Sequence, residues 1–356
     1  MADKPVTVMI ATPFEDSLVQ PLSEVDDRVS LLYRPDLLPP VRYPGDHRGI
    51  RPFHRDPEAE RAWDAMLSRA EVLLGIPGDS PENLAAVVRD NPDLRWVQAT
   101  AAGAGEQVKA AALSMDERDR VTVTSTSGVH AGPLAEFAML GLLSFAKDLP
   151  RLLADQRDHR WDHYPVAELA GHTLLVVGLG AIGVQVARRA KAMNMHIIGV
   201  NRRGTSSCPD VDETHATEDL PDLLPRADAV VFSLPLTEKT EGMIDAEALR
   251  RLRRLRRLRP EAILVNVGRG AVIDEPGLVD ALAQRRLAGA ALDVFTLEPL
   301  PDKNPLWDLP NVLISPHTTG LSLNENKRII DLFTANLRHY LNGEELTNTV
   351  DTTVFY

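Results

Sequence analysis

The sequence predicts an α/β chain built as two doubly wound parallel-sheet domains. Three observations carry this reading. Short apolar runs alternate with helical stretches along most of the chain, glycines cluster at one strand-to-helix junction, and 356 residues exceed what one hydrophobic core usually organises. A composition of 44% hydrophobic and 25% charged residues is that of a folded chain rather than a disordered one.

The first domain opens with VTVMIAT (6–12), followed by a helix over 58–69, EVLLGI (71–76), a helix near 81–90, LRWVQAT (94–100), a helix near 104–113 and VTVTST (121–126). Residues 33–57, rich in Pro, Gly and Arg, read as an irregular surface loop. GPLAEFAMLGLLSFAKDLPRLL (132–153) is a long helical connection that Pro150 should kink or break. The second domain follows with strands in HTLLVV (172–177), HIIGVNR (196–202), ADAVVFSLP (227–235), AILVNVG (262–268), LAGAALDVF (287–295) and NVLISP (311–316). A last helix near 322–341 has no partner strand there and is expected to pack back on the first domain. The boundaries are therefore 1–129 with 320–356 for a discontinuous first domain, and 130–319 for the second.

Charge and cysteine content narrow the function. A net charge of -12 repels nucleic acid and anionic membranes. The start, MADKPVTVMIATPF, lacks a cationic and apolar leader, and no apolar run is long enough to span a bilayer, so a cytoplasmic protein that does not enter membranes is expected. The one cysteine, Cys208, has no Cys or His neighbour at metal-ligand spacing, which argues against a metal or disulfide. The exception to the acidic balance is ALRRLRRLRRLRP (248–260), a Leu-Arg-Arg repeat whose leucines, three apart, step around a helix instead of lining one face. It reads either as a basic patch for an anionic partner or as a repeat expansion of a surface helix.

Strand 172–177 runs into Gly178-Leu-Gly180-Ala181-Ile182-Gly183 and then a helix, the full context of a dinucleotide-binding turn. Gly178 permits the tight turn, Gly180 admits a pyrophosphate to the backbone, and Gly183 lets the helix press on the sheet. The next strand ends GVNRRG, with Asn201 where an NAD site usually carries an acid. Arg202 and Arg203 follow and suit a 2′-phosphate, which favours NADP over NAD. Arg269 in NVGRGAVID, Glu298 in LEPLP and His317 in SPHTTG each lie beyond a strand end. There a guanidinium can grip a carboxylate, an imidazole can carry a proton, and a carboxylate can hold that imidazole.

Together VVGLGAIG, SLPLTEKTEGMID, ILVNVGRGAVIDEPGLVDAL, GAALDVFTLEPLP and NVLISPHTTG make the chain resemble the D-isomer-specific 2-hydroxyacid dehydrogenase family over nearly its whole length. The resemblance implies a Rossmann-like dinucleotide-binding domain and a flavodoxin-like substrate domain, and reduction of a small 2-oxo acid such as glyoxylate or hydroxypyruvate. It implies that Arg269 binds the substrate carboxylate and carbonyl, and that His317, paired with Glu298, protonates the product oxygen. Asp293 would meet the nicotinamide carboxamide; Pro235, Thr240 and Val267 would flank the cofactor. Ala102 and Gly103 would bind substrate through backbone N–H groups, and Gly75 to Gly78 would form a second substrate wall. It also implies a homodimer through the 132–153 arm. Relatives that act as dinucleotide-sensing scaffolds or corepressors leave a binding protein as the alternative.

Overall fold

The computed structural model describes residues 4–252 and 262–353. The chain divides into two compact units, Met1–His130 with Leu321–Tyr356, and Ala131–Gly320.

The first unit holds five strands, β1 (Val6–Ile10), β2 (Val29–Leu32), β3 (Val72–Leu74), β4 (Trp96–Gln98) and β5 (Thr122–Thr124), in the order β2-β1-β3-β4-β5. All pair in parallel, with Val8 opposite Val72 and Leu73 opposite Val97. Alternate residues serve opposite faces. Met9, Leu73 and Val97 meet Trp63 of helix α1 (Pro57–Leu67) and Leu84 and Val88 of helix α2 (Pro81–Asp90). Val8, Val72 and Trp96 meet Ile329, Phe333 and Leu337 of the C-terminal helix, Glu325–Asn342. Trp96 stacks on Phe333 at 5.0 Å between ring centroids, and its Nε1 donates to Thr124 Oγ1 at 2.8 Å. Burial of a side chain of Phe333's size contributes about 1.5–3 kcal/mol, enough to keep this helix on the sheet after a long excursion of the chain. It begins at Glu325, a turn later than the sequence pattern suggests, after a turn at 323–324.

The second unit holds seven parallel strands: β6 (Thr173–Val177), β7 (His196–Asn201), β8 (Glu213–Ala216), β9 (Ala229–Phe232), β10 (Ile263–Asn266), β11 (Gly289–Leu292) and β12 (Val312–Ile314). Their order is β12-β11-β10-β9-β6-β7-β8. Leu175, Val230 and Leu264 point into one core and Leu174, Val231 and Val265 into the other, so the strands read as unbroken apolar runs. Helix α3 (Ala131–Ala146) packs in the second of these cores, and helix α4 (Leu149–Arg157) follows it. The break falls at Asp148, which is left-handed (φ 55°), and not at Pro150. Proline fits the first turn of a helix, where its missing N–H has no intrahelical partner anyway, so Pro150 starts α4 instead of bending α3.

Strands β2 and β8 escape the sequence pattern. VSLL and ETHA are sheet edges of intermediate burial without a continuous apolar signal. The Leu-Arg-Arg run starts in a helix, Ala246–Arg251, capped by Asp245 accepting from Ala248 N at 2.8 Å; from residue 253 it lies outside the described residues. Among the described residues no helix is long and apolar enough to cross a membrane.

Candidate active site

Helix α5 (Ala181–Ala192) starts directly after the glycine turn, with Gly180 as its N-cap and Ala181 and Ile182 as its first residues. Gly178 takes φ +104°, a conformation side chains avoid, and Ser233 Oγ donates to its carbonyl at 2.8 Å. A Cβ on Gly183 would lie 1.9 Å from that same carbonyl oxygen, so α5 reaches the sheet only because the position is glycine. A Cβ on Gly180 would meet nothing within 4 Å, which leaves open space at the helix N-terminus, where unpaired N–H groups and the helix dipole favour a phosphate. These residues fit a dinucleotide.

Asn201 closes β7, and both ends of its amide are engaged: Nδ2 donates to Thr205 O and Oδ1 accepts from Arg203 N, each at 2.8 Å. The side chain thus shapes the 201–205 turn, from which Arg202 and Arg203 project as exposed groups. Thr240 ties the segment after β9 by donating to Pro235 O at 2.7 Å and accepting from Thr237 N at 2.8 Å. Val267 is 3% exposed and belongs to the core.

Arg269, Glu298 and His317 lie on three loops at the carboxyl ends of β10, β11 and β12. His317 Nδ1 is 2.7 Å from Glu298 Oε2, while Glu298 Oε1 accepts from Phe295 N at 3.0 Å. The pair is accessible, with side-chain exposures of 49% and 35%. The Arg269 loop is brought to the same place by backbone packing: a Cβ on Gly270 would fall 1.9 Å from the Phe295 carbonyl carbon. Asn266 fixes the loop's shape by donating to Arg269 O and accepting from Gly268 N, both at 3.0 Å, and Arg269 is half-buried.

The sequence reading missed how His317 is held. Its backbone is left-handed (φ 52°), and the flanking loop hangs on Asp293, which is 1% exposed. Asp293 Oδ1 accepts from Ser315 Oγ at 2.7 Å and from the N–H groups of Thr318 and Thr319 at 3.1 Å. An acid at a buried strand end beside SPHTT was the available signal.

In the first unit, Gly103 is the N-cap of a short helix, Ala104–Ala110, with Ala102 exposed before it. Gly78 is left-handed (φ +61°) after β3, and Arg51 Nη2 donates to its carbonyl. A second polar group was not anticipated: buried Glu325 has His130 Nε2 at 3.2 Å and His47 Nε2 at 3.7 Å from one carboxylate oxygen. Burial raises the pKa of Glu325, but the adjacent imidazoles of His130 and His47 outweigh it and bring the value down to about 2. Among the described residues no group of three or more His, Cys, Asp or Glu side chains is placed to hold a metal ion.

Comparison with known proteins shows the family. Residues 139–319 match the family model described as D-isomer specific 2-hydroxyacid dehydrogenase, NAD binding domain. A glyoxylate reductase of Thermococcus gammatolerans is 33% identical over 301 residues, covering 81% of this chain and 85% of the relative. A glyoxylate reductase of Korarchaeum cryptofilum is 36% identical over 242 residues, covering 65% and 69%. Among solved structures, a D-isomer specific 2-hydroxyacid dehydrogenase from Xanthobacter autotrophicus Py2, in complex with NADPH and MES, superposes with a TM-score of 0.75 at 26% identity, over 99% of this chain and 100% of that one. The chain therefore belongs to the D-isomer specific 2-hydroxyacid dehydrogenase family of NAD(P)-dependent oxidoreductases.

Proposed function

We propose that the chain reduces a short 2-oxo acid of the glyoxylate or hydroxypyruvate kind to its 2-hydroxy acid, with NADPH preferred over NADH. The observation that carries this is the His317–Glu298 pair at 2.7 Å beside the Arg269 loop, in the same unit as the glycine turn. When bound, the nicotinamide supplies the hydride, so the protein has to orient the acid and move one proton. Arg269 presents a planar fork to the carboxylate and carbonyl of the acid. Glu298 accepts from His317 Nδ1–H and so fixes the ring, leaving Nε2 to protonate the carbonyl oxygen as it becomes an alkoxide. Asp293 sets the loop that carries the ring and faces the carboxamide of the cofactor. The backbone around Ala102, Gly103 and Gly78 is assigned to the substrate, and Arg202 and Arg203 to the 2′-phosphate. Pro235, Thr240 and the backbone of Val267 are assigned to the cofactor.

The names and titles of the relatives support the reading: glyoxylate reductases in sequence, and an NADPH complex in structure. A homodimer through α3 and α4 agrees with the exposed Leu140, Leu152 and Leu153 on that arm, and analytical ultracentrifugation tests it. Initial rates with NADPH and NADH against a panel of 2-oxo acids test the activity. Reduction of glyoxylate or hydroxypyruvate is the expected result. Dinucleotide binding without reduction of any acid would make the chain a binding protein instead.

A further inference from the structure

The sheet order β2-β1-β3-β4-β5 reverses its winding between β1 and β3, and open parallel sheets take ligands outside the carboxyl strand ends at such a reversal. A cavity of about 750 Å³ opens there, lined at one end by Ala11 and Pro13 after β1 and by Pro77 and Gly78 after β3, and continuing along α1 and α2. The rest of that end comes from the 39–55 stretch, which the sequence pattern left as plain surface loop. It contributes His47, Arg48, Arg51, His54 and Arg55.

Two of these arginines are neutralised within the unit. Arg48 Nε lies 2.7 Å from Asp79 Oδ2, and Arg55 lies 3.5 Å from Glu60 with its guanidinium 4.0 Å over Trp63. Arg51 differs: it donates to the neutral Gly78 carbonyl and forms no ion pair among the described residues. His47 lines the same cavity and is 9% exposed; its Nε2 faces the Glu325 carboxylate at 3.7 Å, beyond hydrogen-bond distance, and its Nδ1 has no hydrogen-bond partner. A buried donor left unpaired is unfavourable until a ligand supplies the acceptor. The remaining acids of the lining, Asp64 and Asp90, sit on α1 and α2; Asp90 ends α2, roughly 14 Å of helix from Pro81. Glu325 lies against His47 and His130, so at the Gly78 end Arg51 is left as a cation without an ion pair among the described residues.

We propose that this end of the cavity binds a second anionic group of the substrate, a distal carboxylate or phosphate ester, with Arg51 as its charge partner and His47 as a further donor. The substrate class is then a 2-oxo acid with two anionic ends. This rests on the reading of the chain as a 2-oxo acid reductase with Gly78 on the substrate wall.

The test compares kcat/KM of the full chain within two pairs, pyruvate against oxaloacetate and hydroxypyruvate against its 3-phosphate. In at least one pair the doubly charged member should be favoured tenfold or more, and that pair identifies carboxylate or phosphate. Arg51→Gln should cut the preference at least tenfold, mainly through KM, and Arg51→Lys should restore part of it. No preference in the unmodified chain, or a parallel fall for both members of the pair, overturns the proposal while leaving the reductase reading intact. If neither these four acids nor glyoxylate is reduced, the reductase reading fails, and calorimetric titration with inorganic phosphate and malonate decides the site. Binding that Arg51→Gln abolishes upholds it, and binding that is absent or insensitive to Arg51 overturns it.

Discussion

Replacing His317 by alanine removes the ring that Glu298 orients, without touching the glycine turn that would hold the cofactor. General acid catalysis by a positioned side chain is worth roughly 10²–10⁴ in rate, so turnover of glyoxylate should fall by that factor, about 3–5 kcal/mol of barrier. Glu298→Gln is milder, because the amide oxygen can still accept from the ring, although the charge and the hydrogen bond from Phe295 N, which the amide NH2 would face, are lost. For charges about 4 Å apart the attraction is ~1 kcal/mol in water and ~4 kcal/mol at an effective dielectric constant of 20. Side-chain exposures of 49% and 35% place this pair towards the watery end, at about 1–2 kcal/mol, so kcat/KM should drop roughly five- to thirtyfold. Initial rates from the absorbance of reduced nicotinamide measure both effects, and quenching of tryptophan fluorescence checks that the cofactor still binds. His317→Ala retaining more than about a tenth of the wild-type rate would remove the ring from proton transfer.

Three further outcomes follow from the same structure. Gly180→Ala places a methyl group where nothing lies within 4 Å, so the melting temperature should hold while dinucleotide affinity falls; Gly183→Ala, with a Cβ 1.9 Å from the Gly178 carbonyl, should lower both, as thermal denaturation with and without NADPH would show. Replacing Arg202 and Arg203 by alanine should raise KM for NADPH about tenfold or more and leave that for NADH within about twofold, since charge-assisted hydrogen bonds to the 2′-phosphate are worth ~1.5–3 kcal/mol. Glu325 has a folded pKa of about 2 against an ordinary 4.5, so it stabilises the fold above pH 4.5, and this contribution of about 3 kcal/mol is lost as pH falls towards 2. Urea denaturation of Glu325→Gln and wild type should therefore differ most at neutral pH and converge in acid.

The strands that carry the site were legible because parallel strands covered on both faces read as unbroken apolar runs, as in TLLVV and ILVN. Edge strands such as ETHA give no such signal, being polar and only partly covered. Arg269, Glu298 and His317 stood out as candidates because chemistry-bearing residues beyond strand ends are few and the glycine turn gives them a context. What supports them was not legible. The contact between Gly270 and Phe295 joins residues 25 apart, and the grouping of Glu325 with His47 and His130 depends on the C-terminal helix returning to the first sheet. The basic side chains of 39–55 looked solvated because no local pattern shows that this stretch walls a cavity.

His317 shows why the supporting residues matter as much as the one proposed to carry the proton. A left-handed backbone costs a non-glycine residue about 1–2 kcal/mol, so a free loop would relax and carry the imidazole away from Glu298. Three hydrogen bonds converge on Asp293 Oδ1 from Ser315, Thr318 and Thr319, on both sides of the strained residue. Bonds to a buried carboxylate are individually worth ~1.5–3 kcal/mol, so together they exceed the cost of the strained backbone. Glu298 is fixed independently through Phe295, whose backbone is pressed against Gly270. The distance of 2.7 Å between ring and carboxylate is therefore set by two anchored loops and not by the attraction between the pair, which is weak at this exposure. It follows that Asp293→Ala should impair proton transfer more than Glu298→Gln does, although Asp293 is not assigned to proton transfer itself. Equal or smaller damage from Asp293→Ala, measured as kcat at saturating NADPH, would mean that the His317 loop holds its shape without it.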